Sequence, residues 1–292
     1  METLDIAFVV LHYNVLNETI NLINSIREKI DTAKYKVVVV DNCSPNKSGE
    51  EMAALYSEAK DVIILLNEKN VGFANGNNIG INFCREKYHV QFICCLNNDT
   101  LVIQNDFFHK IEMEYKKSKA ALIGPKIILN DGSLQYTAYQ LEKTSYYIAE
   151  RNRFLNYHNS EGQKKGIKSR FPRLYKKYSN FMVYYFNPGL MYRRENCVLH
   201  GCCLIFTPAF FEVLEGFDQR TFLYREEELL YLMLSRNSLK SVYCPKIKIK
   251  HLEDVATNSV TQTSDEKIRW LCQNQVNSLN VLIQELEDYE NR

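Results

Sequence analysis

The chain has 292 residues, of which 46% are hydrophobic and 24% are charged, and its formal net charge is +1. This composition is that of a globular protein long enough to bury a large core, and its near-neutral charge gives no indication of nucleic-acid binding. No stretch approaches about 18 consecutive apolar residues, which excludes a helix that crosses a membrane.

The first hundred residues predict strands that alternate with helices. Apolar and β-branched runs predict the strands, and the N-terminus resembles a first strand rather than a signal peptide. Helical spacing of apolar residues predicts the helices, with Asn17 as the expected cap of the first one. The predicted strands span 6–13, 35–41, 62–67 and 90–97, and the predicted helices span 17–30, 50–60 and 74–87.

The strand runs do not alternate with polar residues, so both faces of each strand should be buried. The order of the elements therefore predicts an α/β fold with a mostly parallel central sheet flanked by helices. Polar clusters follow the four strands, at 12–14, 41–42, 70–72 and 97–99. Each cluster alone is typical of a turn. As a set they predict a ligand site at the carboxyl ends of the strands.

The nine cysteines are an odd number, and no two of them have C-x-x-C spacing. Most lie in apolar segments, where free cysteine behaves as a small hydrophobe. We therefore predict buried, reduced thiols in a cytosolic protein, with neither a disulfide framework nor a zinc cluster.

The segment from Lys143 to Arg194 is basic and rich in tyrosine, with twelve Lys or Arg residues, two acids and eight tyrosines. Two interpretations stay open. The segment is either a solvated loop or a surface for anionic partners such as phospholipid headgroups or a lipid diphosphate. Aromatic and basic residues also suit single-stranded nucleic acid, but no other feature of the chain supports that partner.

Regular structure returns after this segment, over 199–218, 222–237 and 239–254, and a long helix ends the chain. A Thr263-x-x-Glu266 capping box is expected to begin the last helix. Its apolar residues recur on one stripe, which predicts packing against the core. The stripe consists of Ile268, Leu271, Cys272, Val276, Leu279, Leu282, Ile283 and Leu286.

The residues after the first strand exclude two common nucleotide sites. They contain no G-x-G-x-x-G fingerprint and no P-loop. Asp99, at the end of the fourth strand, supplies one hard anionic ligand for Mg²⁺ or Mn²⁺, whereas Asn97 offers only a neutral amide oxygen. Such a pair suits a metal that arrives with a diphosphate, whose charge the metal would neutralise.

Taken together, these segments resemble the family 2 inverting glycosyltransferases, in particular the bacterial rhamnosyltransferase-like branch of polysaccharide biosynthesis, which has the GT-A fold. The resemblance covers about residues 5 to 255. The matching motifs are VVLHYN at 9–14, VVVVDNCS at 37–44, NVGFANGNNIGI at 70–81, LNNDT at 96–100, GCCLIFTPAFFEVLEGFDQRTFLYREEELL at 201–230 and KHLED at 250–254.

The resemblance implies a domain organisation. A GT-A domain would span 1–255 and a helical extension 256–292. Within the domain, a nucleotide-sugar-binding half would span 1–130, a basic insertion 131–198 and an acceptor half 199–255.

The resemblance also implies a donor pocket and a metal site. Asn97-x-Asp99 would be a variant of the family's Asp-x-Asp motif, with Asp99 bound to Mn²⁺ or Mg²⁺ and His251 completing the metal or diphosphate shell. The residues expected to surround the nucleotide sugar are Tyr13, Asn14, Asp41, Asn42, Asn70, Gly72, Phe73, Asn77, Asn97 and Asn98.

The expected general base is Glu227, because Glu226-Glu227 occupy the positions of the family's Glu-Asp pair, while Leu229 replaces a later aspartate. The alternative is that three glutamates at a helix start only complement the helix dipole. As base, Glu227 would take the proton of an acceptor hydroxyl, which attacks the sugar as the nucleoside diphosphate leaves, with inversion.

The implied partners are a UDP- or dTDP-linked sugar and a saccharide acceptor, lipid-linked at the cytoplasmic face of a membrane, where the basic segment would make a peripheral contact. Two other functions stay open. A nucleotidyltransferase would need a basic phosphate-binding loop, which LHYNVLNET at 11–19 does not provide. A catalytically silent partner subunit is consistent with the departures at Asn97 and Leu229.

Overall fold

The structure, a computed structural model, describes residues 1–159, 188–252 and 264–291. Most of the basic segment and Thr263 of the expected capping box lie outside this part of the chain. The strands are β1 (Glu2–His12), β2 (Tyr35–Asp41), β3 (Val62–Leu66), β4 (Tyr88–Asn97), β5 (Thr100–Val102), β6 (Leu122–Leu129), β7 (Ala138–Tyr139), β8 (Arg194–Glu195), β9 (Val198–Leu199), β10 (Cys203–Phe206) and β11 (Ser241–His251).

The helices alternate with these strands through the first half of the chain. They are α1 (Leu16–Lys29), α2 (Ser48–Leu55), α3 (Gly72–Lys87), α4 (Phe107–Ser118), α5 (Thr144–Asn159), α6 (Pro208–Phe211), α7 (Glu226–Arg236) and α8 (Ser264–Glu290), with a 3₁₀ turn at Pro188–Met191. In the described part of the chain, none is long and apolar enough to cross a bilayer.

A nine-stranded sheet forms the centre of the molecule, in the order β3-β2-β1-β4-β10-β6-β11-β5, and β8 pairs with β11. The first four strands in this order are parallel. β10 lies antiparallel between β4 and β6, and β6 and β11 are again parallel. The sheet is therefore mixed but mostly parallel, and the carboxyl ends of β1, β2 and β4 lie at one edge.

Both faces of the sheet are buried, as the unbroken apolar runs predict. Phe8 of β1 packs into a cluster that includes Phe107 and Ile111 of α4. Val9, the next residue, packs into the cluster on the other face with Ile81 of α3. The helices therefore form a layer on each side, and the sheet holds its loops at a fixed edge.

Two predicted helix starts are wrong. Asn17 does not cap α1, because that helix begins at Leu16 with Val15 in the capping position and no capping side chain. α3 begins at Gly72 rather than at residue 74, and the Phe222 carbonyl accepts the Phe73 N–H. At the start of α3 the contact with Phe222 comes from a distant segment, which the local sequence does not contain.

The predicted apolar stripe of the last helix is confirmed over its C-terminal half. Leu279, Leu282, Ile283 and Leu286 of α8 pack with Leu229 and Leu232 of α7 and with Tyr147 of α5. Ion pairs from Glu285 to Arg220 and Arg236 add to this contact. α8 therefore fixes α7, whose first turn contains Glu226 and Glu227.

The predicted burial of the thiols is confirmed for eight of the nine cysteines, and Cys43 is exposed. The Cys94 and Cys203 sulfurs lie 3.9 Å apart on adjacent strands. Burial first, and then the neighbouring thiols, raises the pKa of Cys94. These cysteines therefore fill the core as neutral thiols.

Candidate active site

The parallel register brings three of the four predicted polar clusters to one place. His12, the last residue of β1, pairs with Asp41, the last residue of β2. On the other side, Leu11 of β1 pairs with Asn97, the last residue of β4. The fourth cluster joins them through a hydrogen bond from Asn42 Nδ2 to Asn70 Oδ1, 2.9 Å long.

His12 is a buried structural hub below this edge. Its ring nitrogens hydrogen-bond to the hydroxyls of Thr19, at 2.7 Å, and Ser48, at 2.8 Å. Burial lowers the pKa of His12 to about 4, although nearby Asp41 acts in the opposite direction. Asn98 donates to the same Thr19 hydroxyl at 3.2 Å, so its amide ties the end of β4 to α1.

Asp41 is also committed to the loop that follows it. Its Oδ1 accepts the Ser44 hydroxyl at 2.5 Å, and its Oδ2 accepts the Ser44 backbone N–H at 3.2 Å. A Cβ on Gly49 would lie 2.3 Å from Asp41 Oδ2, so only glycine fits there. Asn14 lies next to this loop at φ 66°, and its N–H donates to Ser44 Oγ.

Asn42 holds the loop between β3 and α3. Its amide nitrogen donates to Asn70 Oδ1 and to the Gly72 carbonyl at 3.0 Å, while its oxygen accepts the Val71 N–H at 3.0 Å. Gly72 has φ +84°, and a Cβ there would meet the Phe222 carbonyl oxygen at 2.3 Å. Asn42 therefore shapes the pocket wall through backbone contacts.

The α3 amides connect this wall to the second half of the chain. Asn77 is buried, and its amide donates to the Phe73 carbonyl at 3.0 Å. Asn78, which the sequence analysis did not select, exchanges two hydrogen bonds with the Phe217 backbone, at 2.8 and 2.9 Å. Tyr13 is half-buried at the end of β1. Hydrogen bonds thus link the loops that follow β1, β2 and β3, and each of these loops contains predicted donor residues.

Asp99 and His251 meet at the end of β4 and β11. Asp99 Oδ1 lies 3.2 Å from His251 Nε2, and both side chains are buried. The Leu252 N–H donates to the Asp99 carbonyl at 2.8 Å, which fixes the two segments together. Among the described residues, Asp99 Oδ1 has no hydrogen-bond partner.

Two residues that the sequence analysis missed support this pair. Gln135 Oε1 lies 2.8 Å from His251 Nδ1, and Gln135 Nε2 lies 2.9 Å from His200 Nε2. Gln135 contacts His251 at Nδ1, so the other ring nitrogen, Nε2, is the one that faces Asp99. The doublet His200-Gly201, just before the apolar run of β10, was the available sequence signal.

The Asp99–His251 pair suits a divalent cation that has further oxygen ligands. Two ligands at right angles, each about 2.1 Å from an octahedral ion, are about 3.0 Å apart, close to the observed 3.2 Å. No group of three or more metal-ligating side chains occurs in the described ranges. A cation here would therefore take its remaining ligands from water or from phosphate oxygens.

The three consecutive glutamates of α7 have three different environments. Glu226 and Glu228 are buried, whereas Glu227 is partly exposed. Glu228 Oε1 accepts from Arg225 at 3.0 Å, and Arg225 also pairs with Glu150 at 2.9 Å. A structural ion-pair network thus holds Glu228, and the predicted base Glu227 is the one that remains accessible.

Glu227 is oriented by the backbone before β10. Its Oε1 accepts the Gly201 N–H at 3.0 Å, and a Cβ on Gly201 would lie 2.7 Å from that oxygen. The next residue, Cys202, accepts the Asn97 N–H at its carbonyl, 2.9 Å away. One short turn therefore connects Glu227 to the Asn97–Asp99 segment.

The carboxylates of Glu227 and Asp99 both raise the pKa of the same buried thiol, that of Cys202. Burial first, then Cys203, Asp99 and Glu227, raises the pKa of Cys202 well above its usual range. A pocket of about 350 Å³ opens at this point, and the residues that line it include Phe73, Asn97, Tyr139 and Glu227. The pocket thus joins the predicted donor wall to the predicted base.

Glu226 is a buried carboxyl whose protonation should contribute to the pH dependence of stability. Burial first, and then Glu227, raises its pKa from 4.5 to about 8. Because the folded-state pKa is the higher one, between these values the folded protein keeps a proton that the unfolded chain has lost. The free energy of unfolding should therefore fall, by about 1.4 kcal/mol per pH unit from this group, as pH rises through that window.

Urea unfolding of the wild type and Glu226→Gln between pH 4.5 and 8 tests this expectation. The variant, which cannot ionise, should lose less stability than the wild type as pH rises, and the exposed Glu215→Gln should follow the wild type. Parallel curves for the wild type and Glu226→Gln would show that Glu226 ionises normally.

Comparison with known proteins identifies the family of this chain. The profile described as Glycosyl transferase family 2 matches residues 7–212, so the chain belongs to that family. A search of curated proteins finds no match. The comparisons do not single out the rhamnosyltransferase-like branch.

Solved structures with the same architecture include GalNAc-T7, in a crystal structure with UDP, GalNAc and Mn²⁺, at 14% identity and a TM-score of 0.58. That alignment covers 86% of this chain but only 44% of the GalNAc-T7 chain. TarS 1-349 of S. aureus aligns at 13% identity and a TM-score of 0.50, over 93% of this chain and 71% of the TarS chain. The predicted GT-A fold is confirmed by these likenesses.

Proposed function

We propose that this protein is an inverting glycosyltransferase that moves a sugar from a UDP- or dTDP-linked donor to a hydroxyl of a saccharide acceptor. The observation that carries the proposal is that two unlike carboxylate sites lie close to one pocket. Glu227 and Asn97 line that pocket. Asp99, whose Oδ1 faces His251, follows Asn97 by two residues. TarS has also been solved with UDP-GlcNAc, which supports UDP sugars as the first donors to test.

We place the nucleotide along the wall formed by the ends of β1 and β2 and the start of α3. Asn14 Oδ1 is buried and has no partner among the described residues, so it is available to an N–H of a base. Asp41 and Asn42 build the wall through the hydrogen bonds described above. We place the half-buried Tyr13, which follows β1, beside the base. Gly72 and Phe73 close the wall toward the sugar.

The diphosphate belongs beside Asp99 and His251 in this proposal. These two side chains would hold Mn²⁺ or Mg²⁺ together with phosphate oxygens, and Asn97 adds a neutral amide nearby. Charge on the departing diphosphate is neutralised by the cation when it is bound, which contributes several kcal/mol in comparable sites.

Glu227 acts as the general base. Its Oε1 is held by the Gly201 N–H, which leaves Oε2 to accept the proton of the acceptor hydroxyl. The new bond forms between that oxygen and the anomeric carbon as the bond to the diphosphate breaks, and the diphosphate leaves with the electron pair. Attack opposite the leaving group gives inversion, and base catalysis of this kind contributes about 10²- to 10⁴-fold.

The acceptor half and the location of the protein also belong to the proposal. Residues 1–130 would bind the donor, 199–255 would supply the base, and 256–292 would support α7. We infer a saccharide acceptor, lipid-linked at the cytoplasmic face of a membrane, because that chemistry suits the basic composition of 143–194.

Release of nucleoside diphosphate from UDP-hexoses, UDP-N-acetylhexosamines and dTDP-rhamnose, with Mn²⁺ and without acceptor, tests the proposed function. We expect slow turnover of one donor class and loss of that turnover with a chelator. Tight binding of a donor without any turnover, in the presence of saccharide acceptors, would instead favour the silent partner subunit.

A further inference from the structure

A basic groove of about 690 Å³ lies between α4, the middle of β11 and the residues around the end of the 3₁₀ turn. It shares no lining residue with the pocket that Glu227 lines. Among the described residues that line the groove, the one acid is Glu114, which is buried and already accepts Arg193 Nε at 2.9 Å. The cationic residues that line it are Lys110, Lys117, Lys126, Arg193, Lys246 and Lys248.

An irregularity in the sheet creates this concentration of lysines. The pairing of β11 with β6 shifts between Cys244 and Lys248, and it resumes with Lys248 directly beside Lys126. After the shift, Ile247 and Ile249 are fully buried, so the alternating lysines of β11 face outward. The sequence KIKIK at 246–250 therefore places its charges on the exposed side of the strand.

The neighbouring Lys126 and Lys248 lack anionic partners. Like charges on adjacent strands repel each other, and neither lysine forms an ion pair within the ranges that the structure describes. The Lys126 ammonium instead donates to the Met191 sulfur at 3.7 Å, which is a weak acceptor. Burial, and then Lys248, lowers the pKa of Lys126. An anion placed between the two ammonium groups would relieve this repulsion.

The rim of the groove is apolar and exposed. Met113 is 57% exposed, Met191 56% and Tyr192 70%. Aliphatic and tyrosine side chains next to lysines are typical of surfaces that insert shallowly into the headgroup region of a bilayer. A free phosphate ion would make no use of this rim, so the rim favours a lipid surface.

We propose that the groove is a docking site for a membrane that contains anionic phospholipid. Lys126 and Lys248 face the headgroup phosphate, and Met113, Met191 and Tyr192 contact the interfacial region. Lys248 precedes His251 by three residues, about 10 Å along β11, so docking here holds the Asp99–His251 pair close to the bilayer. The proposal stands independently of the proposed sugar transfer.

Sedimentation with vesicles of phosphatidylglycerol and phosphatidylcholine tests the docking site. Wild type should bind the anionic vesicles, and salt should weaken that binding. The double variant Lys126→Gln/Lys248→Gln should bind about 30-fold more weakly, as expected for the loss of two lysines at an anionic surface. The matched double variant Lys60→Gln/Lys87→Gln changes exposed lysines elsewhere and should bind like the wild type.

The variant Met191→Ser/Tyr192→Ser keeps every charge and should also weaken vesicle binding, which covers the case in which the lysine variant fails to fold. Equal binding by the groove and control variants would overturn the proposal, as would equal binding to both kinds of vesicle. Displacement of the protein from vesicles by millimolar glycerol phosphate would assign the groove to a soluble phosphate compound, and the membrane assignment would fail.

Discussion

Glu227→Gln should lower the rate of sugar transfer about 10²- to 10⁴-fold and leave donor binding nearly unchanged. Glutamine keeps the size of the side chain and can still accept the Gly201 N–H, but it cannot take a proton from the acceptor hydroxyl. Steady-state kinetics at saturating donor, together with a UDP binding titration, separate the two effects. The loss should appear in kcat, because the missing interaction belongs to the transition state.

The surface variant Glu215→Gln is the matched control and should keep wild-type rates, since its side chain is exposed outside the pocket. Glu226→Gln is the informative comparison. If Glu226→Gln abolished transfer while Glu227→Gln preserved it, the base would be the buried neighbour, and the assignment of Glu227 would be wrong.

Asp99→Asn should remove the stabilisation that UDP and Mn²⁺ together give to the folded protein. A ligand at 100 times its dissociation constant adds about 2.7 kcal/mol to the free energy of unfolding, which raises Tm by about 5 °C in a chain of this size. Asparagine offers only a neutral oxygen beside His251, so the metal-dependent part of that shift should vanish. Thermal unfolding of wild type and variant, with UDP and either Mn²⁺ or a chelator, measures it.

Asp106→Asn is the control for this experiment, because the Asp106 side chain forms an exposed ion pair with Lys110 at 2.9 Å and does not line the pocket. It should keep the full shift with UDP and Mn²⁺. His251→Gln should reduce the shift in part, since one of two protein ligands remains. A shift of equal size in wild type, with metal or with chelator, would contradict the assignment of Asp99 and His251 to a metal.

Much of the central sheet could be predicted because its information is local. Runs such as YKVVVVD at 35–41 predict a strand that is buried on both faces. Because such strands are connected in parallel, their carboxyl ends lie at the same edge of the sheet. Asp99, at the end of β4, lies where that logic places it. The chemistry of the motif predicted a carboxylate at this edge without knowledge of any long-range contact.

The hydrogen-bond partners of the predicted site residues could not be predicted from local sequence. Gln135 and His200 meet His251 only because β6, β10 and β11 converge, and no spacing in the sequence records that. The same limit applies to the EEE run, where one pattern of letters contains a buried carboxyl, an accessible one and an ion-paired one. Packing by α8 and the Gly201 turn separates their roles.

The central claim is that Asp99 and His251 bind a divalent cation together with the donor diphosphate, and Mn²⁺ electron paramagnetic resonance tests it most directly. The signal of free Mn²⁺ should stay nearly unchanged when the protein alone is added and should fall when UDP is then added, because two protein ligands are too few without phosphate oxygens. With the Asp99→Asn protein and UDP, the signal should stay at the level measured for Mn²⁺ and UDP without protein. The same loss of signal with the wild type and with Asp99→Asn would contradict the account.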